Sequence, residues 1–199
     1  MAEKETTRTE AFSDGIFAIA ITLLILDLRA PEAATSGELW HKLGQLWPGY
    51  VAYLMSFTII GIMWLNHHLI FRHIQRVDYR LTMYNVLLML TISFLPFPTG
   101  VLAHNIADPA TCTAATVFYS AAMLLTSIPY GCVWLHAVKA ELVEGPPAEI
   151  ARITRSFRFG WVSWAVTTVL AFFAPLTATI VIGLSSLYWL IFPAWRRQS

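Results

Sequence analysis

The chain has 199 residues, of which 57% are hydrophobic and only 13% charged, with a formal net charge of +1. Soluble domains carry roughly 45–50% apolar and about 25% charged residues, so a soluble fold is excluded and a bilayer is the natural solvent. The near-zero net charge leaves no basic footprint for nucleic acid.

A membrane-spanning helix needs about 20 predominantly apolar residues. Six segments qualify, and together they predict an all-α membrane protein, one six-helix unit over residues 1–199. In chain order the helices are expected at about 8–29, 46–71, 80–104, 110–138, 156–173 and 176–195. The N-terminus mixes acids and bases and lacks a small-residue cleavage site, so the first apolar run reads as a retained helix and not as a signal peptide. Pro48 suits the start of the second helix. Pro96 and Pro98 break the third near its far end, and Pro129 kinks the fourth. The fifth and sixth meet at a hairpin through Pro175.

Eleven of the thirteen Lys and Arg residues fall on one side of this six-span topology. The minority side holds only Arg29 and Lys42. The positive-inside rule then places both termini in the cytoplasm. Arg29 to Gln45 reads as an outer linker and Val138 to Ser156 as an inner one, both too short for a soluble domain. Trp40, Trp47, Trp189 and Trp195 read as interfacial anchors. Cys112 and Cys132 share the fourth helix about 30 Å apart, at roughly 1.5 Å per residue, so no bridge can join them.

The first helix is the unusual one. With Ile19 at zero on a wheel of about 100° per residue, Phe12, Gly15, Thr22, Leu23 and Leu26 fall within about 60° of it, while Asp14 lies about 140° away. One face is thus apolar with a single hydroxyl, and could line a narrow pore. The bland alternative is a lipid-facing helix whose Thr back-bonds to its own carbonyls. Trp64-Leu65-Asn66-His67-His68 closes the second helix at the depth of Asp14. A carboxylate there is costly without a partner, and either imidazole could clamp it, with Asn85 joining from the third helix. The same groups permit another reading, a proton-coupled secondary transporter using Asp14, His67 and His68 as a relay. Against it, the sequence shows no inverted repeat. Adjacent histidines diverge by about 100° and no further ligand completes a metal site. There is no TVGYG-type filter, and no nucleophile elbow, phosphate loop or zinc signature, so no enzyme is expected and no cofactor is called for.

Arg8-x-x-x-Phe12-Ser13-Asp14, followed by Phe17-Ala18-Ile19 and Thr22-Leu23-Leu24, resembles the RxxxFSD signature of bacterial members of the lysosomal potassium channel family known as transmembrane protein 175. Trp64-x-x-His67-His68 and Phe94-Leu95-Pro96-Phe97 resemble that family's second and third helices, whereas the last three helices match in hydropathy alone. The resemblance implies a homotetramer in the cell membrane of a bacterium, with the first helix of each subunit lining a central pore. It implies constriction rings at Ile19, Leu23 and Leu26 and a polar layer at Thr22. Arg8, Phe12, Ser13 and Asp14 would form a structural network with Trp64, His67, His68 and Asn85. It further implies modest preference for potassium over sodium, with caesium or rubidium as further permeant ions.

Overall fold

The computed structural model describes residues 2–191. All regular structure among them is helical: α1 (Ala2–Leu23), α2 (Ser36–Gln45), α3 (Trp47–Phe71), α4 (Tyr79–Phe94), α5 (Pro96–Asn105), α6 (Cys112–Lys139), α7 (Pro147–Phe173) and α8 (Pro175–Ile191). A single 3-10 turn, Leu24–Asp27, extends α1. Four stretches are long and apolar enough to cross a membrane: Glu5–Asp27, Trp47–Phe71, Tyr79–Asn105 and Cys112–Lys139. Pro175–Trp189 is a shorter apolar helix. The chain is therefore an all-helical membrane protein.

Several expected boundaries are corrected. The first helix leaves α-geometry at Leu23 and tightens into the 3-10 turn, so Leu26 sits on a different pitch from Ile19. The third predicted helix is two, because Pro96 lacks the N–H that would continue α4 and opens α5 instead. The supposed outer linker contains α2. Its start is fixed locally: the Thr35 hydroxyl accepts from the Glu38 N–H, and the Glu38 carboxylate accepts from the Ala34 N–H. That reciprocal arrangement closely follows a capping box. The supposed inner linker is largely helical too, since Pro147 occupies the first turn of α7, where its missing N–H costs nothing. The predicted end of the sixth helix, with Trp195, Arg196 and Arg197, lies outside the described residues.

The core sits where α6 meets α4 and α7, and where α3 packs on α1 and α5. Trp134, Tyr119, Phe17 and Leu24 are among its largest fully buried side chains. Buried polar groups are tied across helices: Tyr119 and Thr99 both bond the Ser56 hydroxyl, each at 2.9 Å. The Trp134 indole donates to Thr154 Oγ1 of α7. Near Pro129, inside α6, the Trp161 indole donates to the Ser127 carbonyl at 2.7 Å, and its ring packs closely on Gly131.

The α3–α4 and α6–α7 connections are stitched to each other. Gln75 N–H donates to Leu142 O and Glu144 N–H to His73 O, making an isolated bridge at Ile74 and Val143. Gly145, at φ 150°, adopts a conformation open to glycine and packs on the His73 ring. Asp78 caps α4 through the Leu81 N–H and also accepts from His136 at the end of α6. Burial opposes ionisation of Asp78, but the Leu81 N–H, the His136 hydrogen bond and the nearby His136 and Arg80 charges together hold its carboxyl below the ordinary 3.8.

Candidate functional site

The helix that carries the unusual sequence lies at the edge of the protomer. Ser13, Phe17 and Ala20 of α1 and Leu24 of the following 3-10 turn are buried, recurring at the helical period on one face. The opposite face is open: Ile19 is 56% exposed, Leu23 40% and Leu26 68%. Thr22 lies on this face and its hydroxyl donates to the Ile19 carbonyl at 2.9 Å. In bonding its own helix the hydroxyl remains an available acceptor toward the open side.

The buried face is anchored by polar contacts at the Arg-rich end. Helices α1 and α3 run antiparallel, so residues one turn apart on each form successive rungs. Trp64 Nε1–H donates to Asp14 Oδ1 at 2.9 Å, and one turn on, His68 Nδ1 meets Glu10 Oε1 at 2.7 Å. The expected clamp between Asp14 and a histidine is thus corrected. The carboxylate takes the indole because Trp64, a turn before His68, faces Asp14 across the antiparallel pair.

His67 points elsewhere. It is fully buried and stacks on Phe71, with ring centroids 4.4 Å apart. Its Nε2 meets Asn85 Oδ1 at 3.0 Å, while Asn85 Nδ2 donates to Ser13 Oγ at 2.9 Å. Ser13 in turn donates to the Thr9 carbonyl. The chain of donors assigns the tautomer: Asn85 Oδ1 can only accept, so His67 carries its proton on Nε2. His67 Nδ1 is buried with no hydrogen-bond partner among the described residues. One buried network therefore joins α1, α3 and α4 through Ser13, Asn85 and His67, and a separate, more exposed ladder joins α1 to α3.

Two residues expected in this network stand apart from it. Arg8 is exposed and forms no hydrogen bond or ion pair among the described residues. Phe12 is 55% exposed. Both belong to the open side of α1. Glu10 was not singled out from sequence, although its place four residues before Asp14 put it on the same flank. At the far end, Asp27 lies against Gly100 of α5, so close that a β-carbon at Gly100 would stand 2.5 Å from Asp27 Oδ2. Among the described residues no group of His, Cys, Asp or Glu is disposed to hold a metal ion.

An edge helix with an apolar open face and a bonded inner face, in a chain of long apolar helices, defines an integral membrane protein of the all-helical class. The family model described as endosomal/lysosomal potassium channel TMEM175 matches residues 8–96, the span from Arg8 to the α4–α5 break. A Streptomyces collinus protein named as a potassium channel is 42% identical over 189 residues, covering 93% of this chain and 91% of its own. A Chamaesiphon minutus protein, likewise named a potassium channel, is 41% identical over 176 residues, with 85% and 86% covered. The crystal structure described as a lysosomal potassium-selective channel TMEM175 homolog from Chamaesiphon minutus superposes with a TM-score of 0.86 at 36% identity, covering 94% of this chain and 97% of that one. The chain belongs to the TMEM175 family, which is a family of ion channels and not of enzymes.

Proposed function

We propose that this chain is one subunit of a homotetrameric, potassium-permeable cation channel in the bacterial cell membrane, with the open face of α1 lining a central pore. The observation that carries the reading is the exposure of Ile19, Thr22, Leu23 and Leu26 on a helix whose other face is buried and polar-bonded. Around a fourfold axis that face would present apolar rings separated by a hydroxyl layer. Apolar rings gate by dewetting, and an ion passing them must shed or deform its hydration shell. Potassium holds that shell less tightly than sodium, which gives a modest preference for potassium and admits caesium and rubidium. The potassium-channel names of the Streptomyces and Chamaesiphon relatives support the same substrate class.

In this reading each subunit spans the membrane six times, α4 and α5 together making one span and α7 and α8 two more. Both termini are cytoplasmic, on the side that carries eleven of the thirteen Lys and Arg residues. Asp14, Trp64, His68 and the Ser13–Asn85–His67 network hold α1 in place and do not contact the ion. Arg8 and Phe12, open in the protomer, meet the neighbouring subunit.

The test is potassium efflux from liposomes containing the purified protein, with sodium as the comparison ion. Flux that favours potassium and collapses with the imposed gradient supports the channel. Uphill movement driven by a proton gradient would replace it with the transporter reading.

A further inference from the structure

We infer that the groove between α3, α6, α7 and α8 is a binding site for one anionic phospholipid of the Arg-rich leaflet. The inference rests on the membrane placement proposed above and is independent of the pore. The groove has a volume of about 270 Å³. Its walls are apolar and aromatic, among them Met63, Phe157, Trp161, Trp164 and Ile182, and Tyr130 lies among its lining.

Its length and polarity match one lipid in one leaflet. Along α7 the lining runs from Arg152 to Trp164, about 18 Å at ~1.5 Å per residue. Half of a hydrocarbon core about 30 Å thick is about 15 Å, so the groove holds an acyl chain along one leaflet and ends near the headgroup layer. Arg152, Ser156 and Asn66 line that end, and Ser127, Ser163, Ser185 and Ser186 add hydroxyls along the rest of the groove. Basic pockets between transmembrane helices on the cytoplasmic side recognise anionic headgroups, and a planar guanidinium suits a phosphate.

Glu149 Oε1 lies 3.5 Å from Arg152 Nη2 and 3.6 Å from His73 Nε2. The carboxylate is thus shared, while Arg155 and Arg158 add positive charge on exposed positions of the same helix. Arg152, Arg155 and Arg158 against Glu149 leave the first half of α7 net positive, which favours an anion near the Arg152 end. A second copy of the chain, or this chain's own C-terminal residues, are the competing occupants.

Gly160 offers a direct way to close the site, because it lines the groove and a β-carbon there would meet nothing within 4 Å. Gly160→Leu therefore has room at its β-carbon and takes up groove space with the rest of its side chain. The experiment equilibrates detergent-purified protein with equimolar phosphatidylglycerol and phosphatidylcholine and counts retained lipids by native mass spectrometry. Wild type is expected to retain phosphatidylglycerol at least fivefold over phosphatidylcholine. Arg152→Gln should reduce that preference to near parity while lipid is still held. Gly160→Leu should lose the retained lipid, and Val169→Trp, on an exposed position of the outer half of α7, should behave as wild type. Elution at the wild-type volume shows that each variant is folded and assembled. Lack of headgroup preference in the wild type, or wild-type retention in both groove variants, overturns the proposal. So does a groove that retains no lipid but cross-links to a neighbouring subunit or to the C-terminus. Ion flux from the same preparations reports on the pore alone.

Discussion

Replacing Asn85 by Leu tests the buried network that fixes α1. Asn85 is 1% exposed and bonds His67 on one side and Ser13 on the other. The two side chains are similar in volume, so the cavity term is small and the lost hydrogen bonds dominate. Interhelical hydrogen bonds in membranes average about 0.6 kcal/mol, with a maximum near 1.7, because the unfolded chain in the bilayer finds other partners. Two such bonds amount to about 1–3 kcal/mol. The upper part of that range is expected, because His67 would be left with neither ring nitrogen bonded: Nδ1 already has no partner among the described residues. Thermal melts followed by size exclusion should show a clear fall in the midpoint. The double variant His67→Phe, Asn85→Leu removes the stranded imidazole while keeping a ring against Phe71, so its loss should be well below the sum of the single losses. A wild-type midpoint for Asn85→Leu, or additive losses in the cycle, would refute the reasoning.

Other expectations follow from single contacts. Ile19→Asn should raise conductance and move the potassium–sodium reversal potential toward zero, and unchanged reversal potentials would remove Ile19 from the pore. Gly100→Ala should push Asp27 off α5 and destabilise the outer end of α1, read as a lower melting midpoint than that of Gly15→Ala, which has open space above it. Gly131→Ala should displace the Trp161 ring and break its bond to Ser127, a change that tryptophan fluorescence would report. The carboxyl of Asp78 titrates below its ordinary value in the folded chain, so its contribution is complete above about pH 3.8 and fades as pH falls through the lowered value. Asp78→Asn keeps a good N-cap but should lose that acid-dependent step in stability, and an unchanged acid profile would deny the ionisation of Asp78 any part in it.

Hydropathy located the bilayer-crossing segments because it measures what a residue prefers as solvent, and it says little about where a helix stops. Hence the expected second helix agrees with α3, Trp47–Phe71, within a residue or so, while α7 begins at Pro147, well before the apolar run. Its arginines read as a loop because they are charged, yet charge is compatible with helix outside the hydrocarbon. Helix α2 escapes hydropathy for a related reason: a short amphipathic helix with Gly37 and Gly44 has the composition of a linker. Its signal was present in Thr35-Ser36-Gly37-Glu38. The wheel did separate the open face of α1 from Asp14, since that follows from the period alone. What the period could not supply was pairing across helices. Which of Trp64, His67 and His68 meets Asp14 depends on the rotation of α3 against α1, a tertiary property.

That rotation bears on mechanism. A proton relay through Asp14, His67 and His68 needs the three groups to exchange a proton along connected hydrogen bonds. Here they are divided: Asp14 is bonded to an indole that does not titrate, His68 to Glu10, and His67 to an amide that in turn bonds Ser13. Neither Trp64 nor Asn85 passes a proton on, since one is a donor only and the other an amide. The same contacts are well suited to holding a helix. Two rungs resist sliding of α1 along α3, and the buried amide resists its rotation against α4. Fixing both motions sets the angle at which Ile19, Thr22 and Leu23 face the open side. If α1 lines a pore, weakening these bonds should therefore alter conductance even though none of them reaches the ion path.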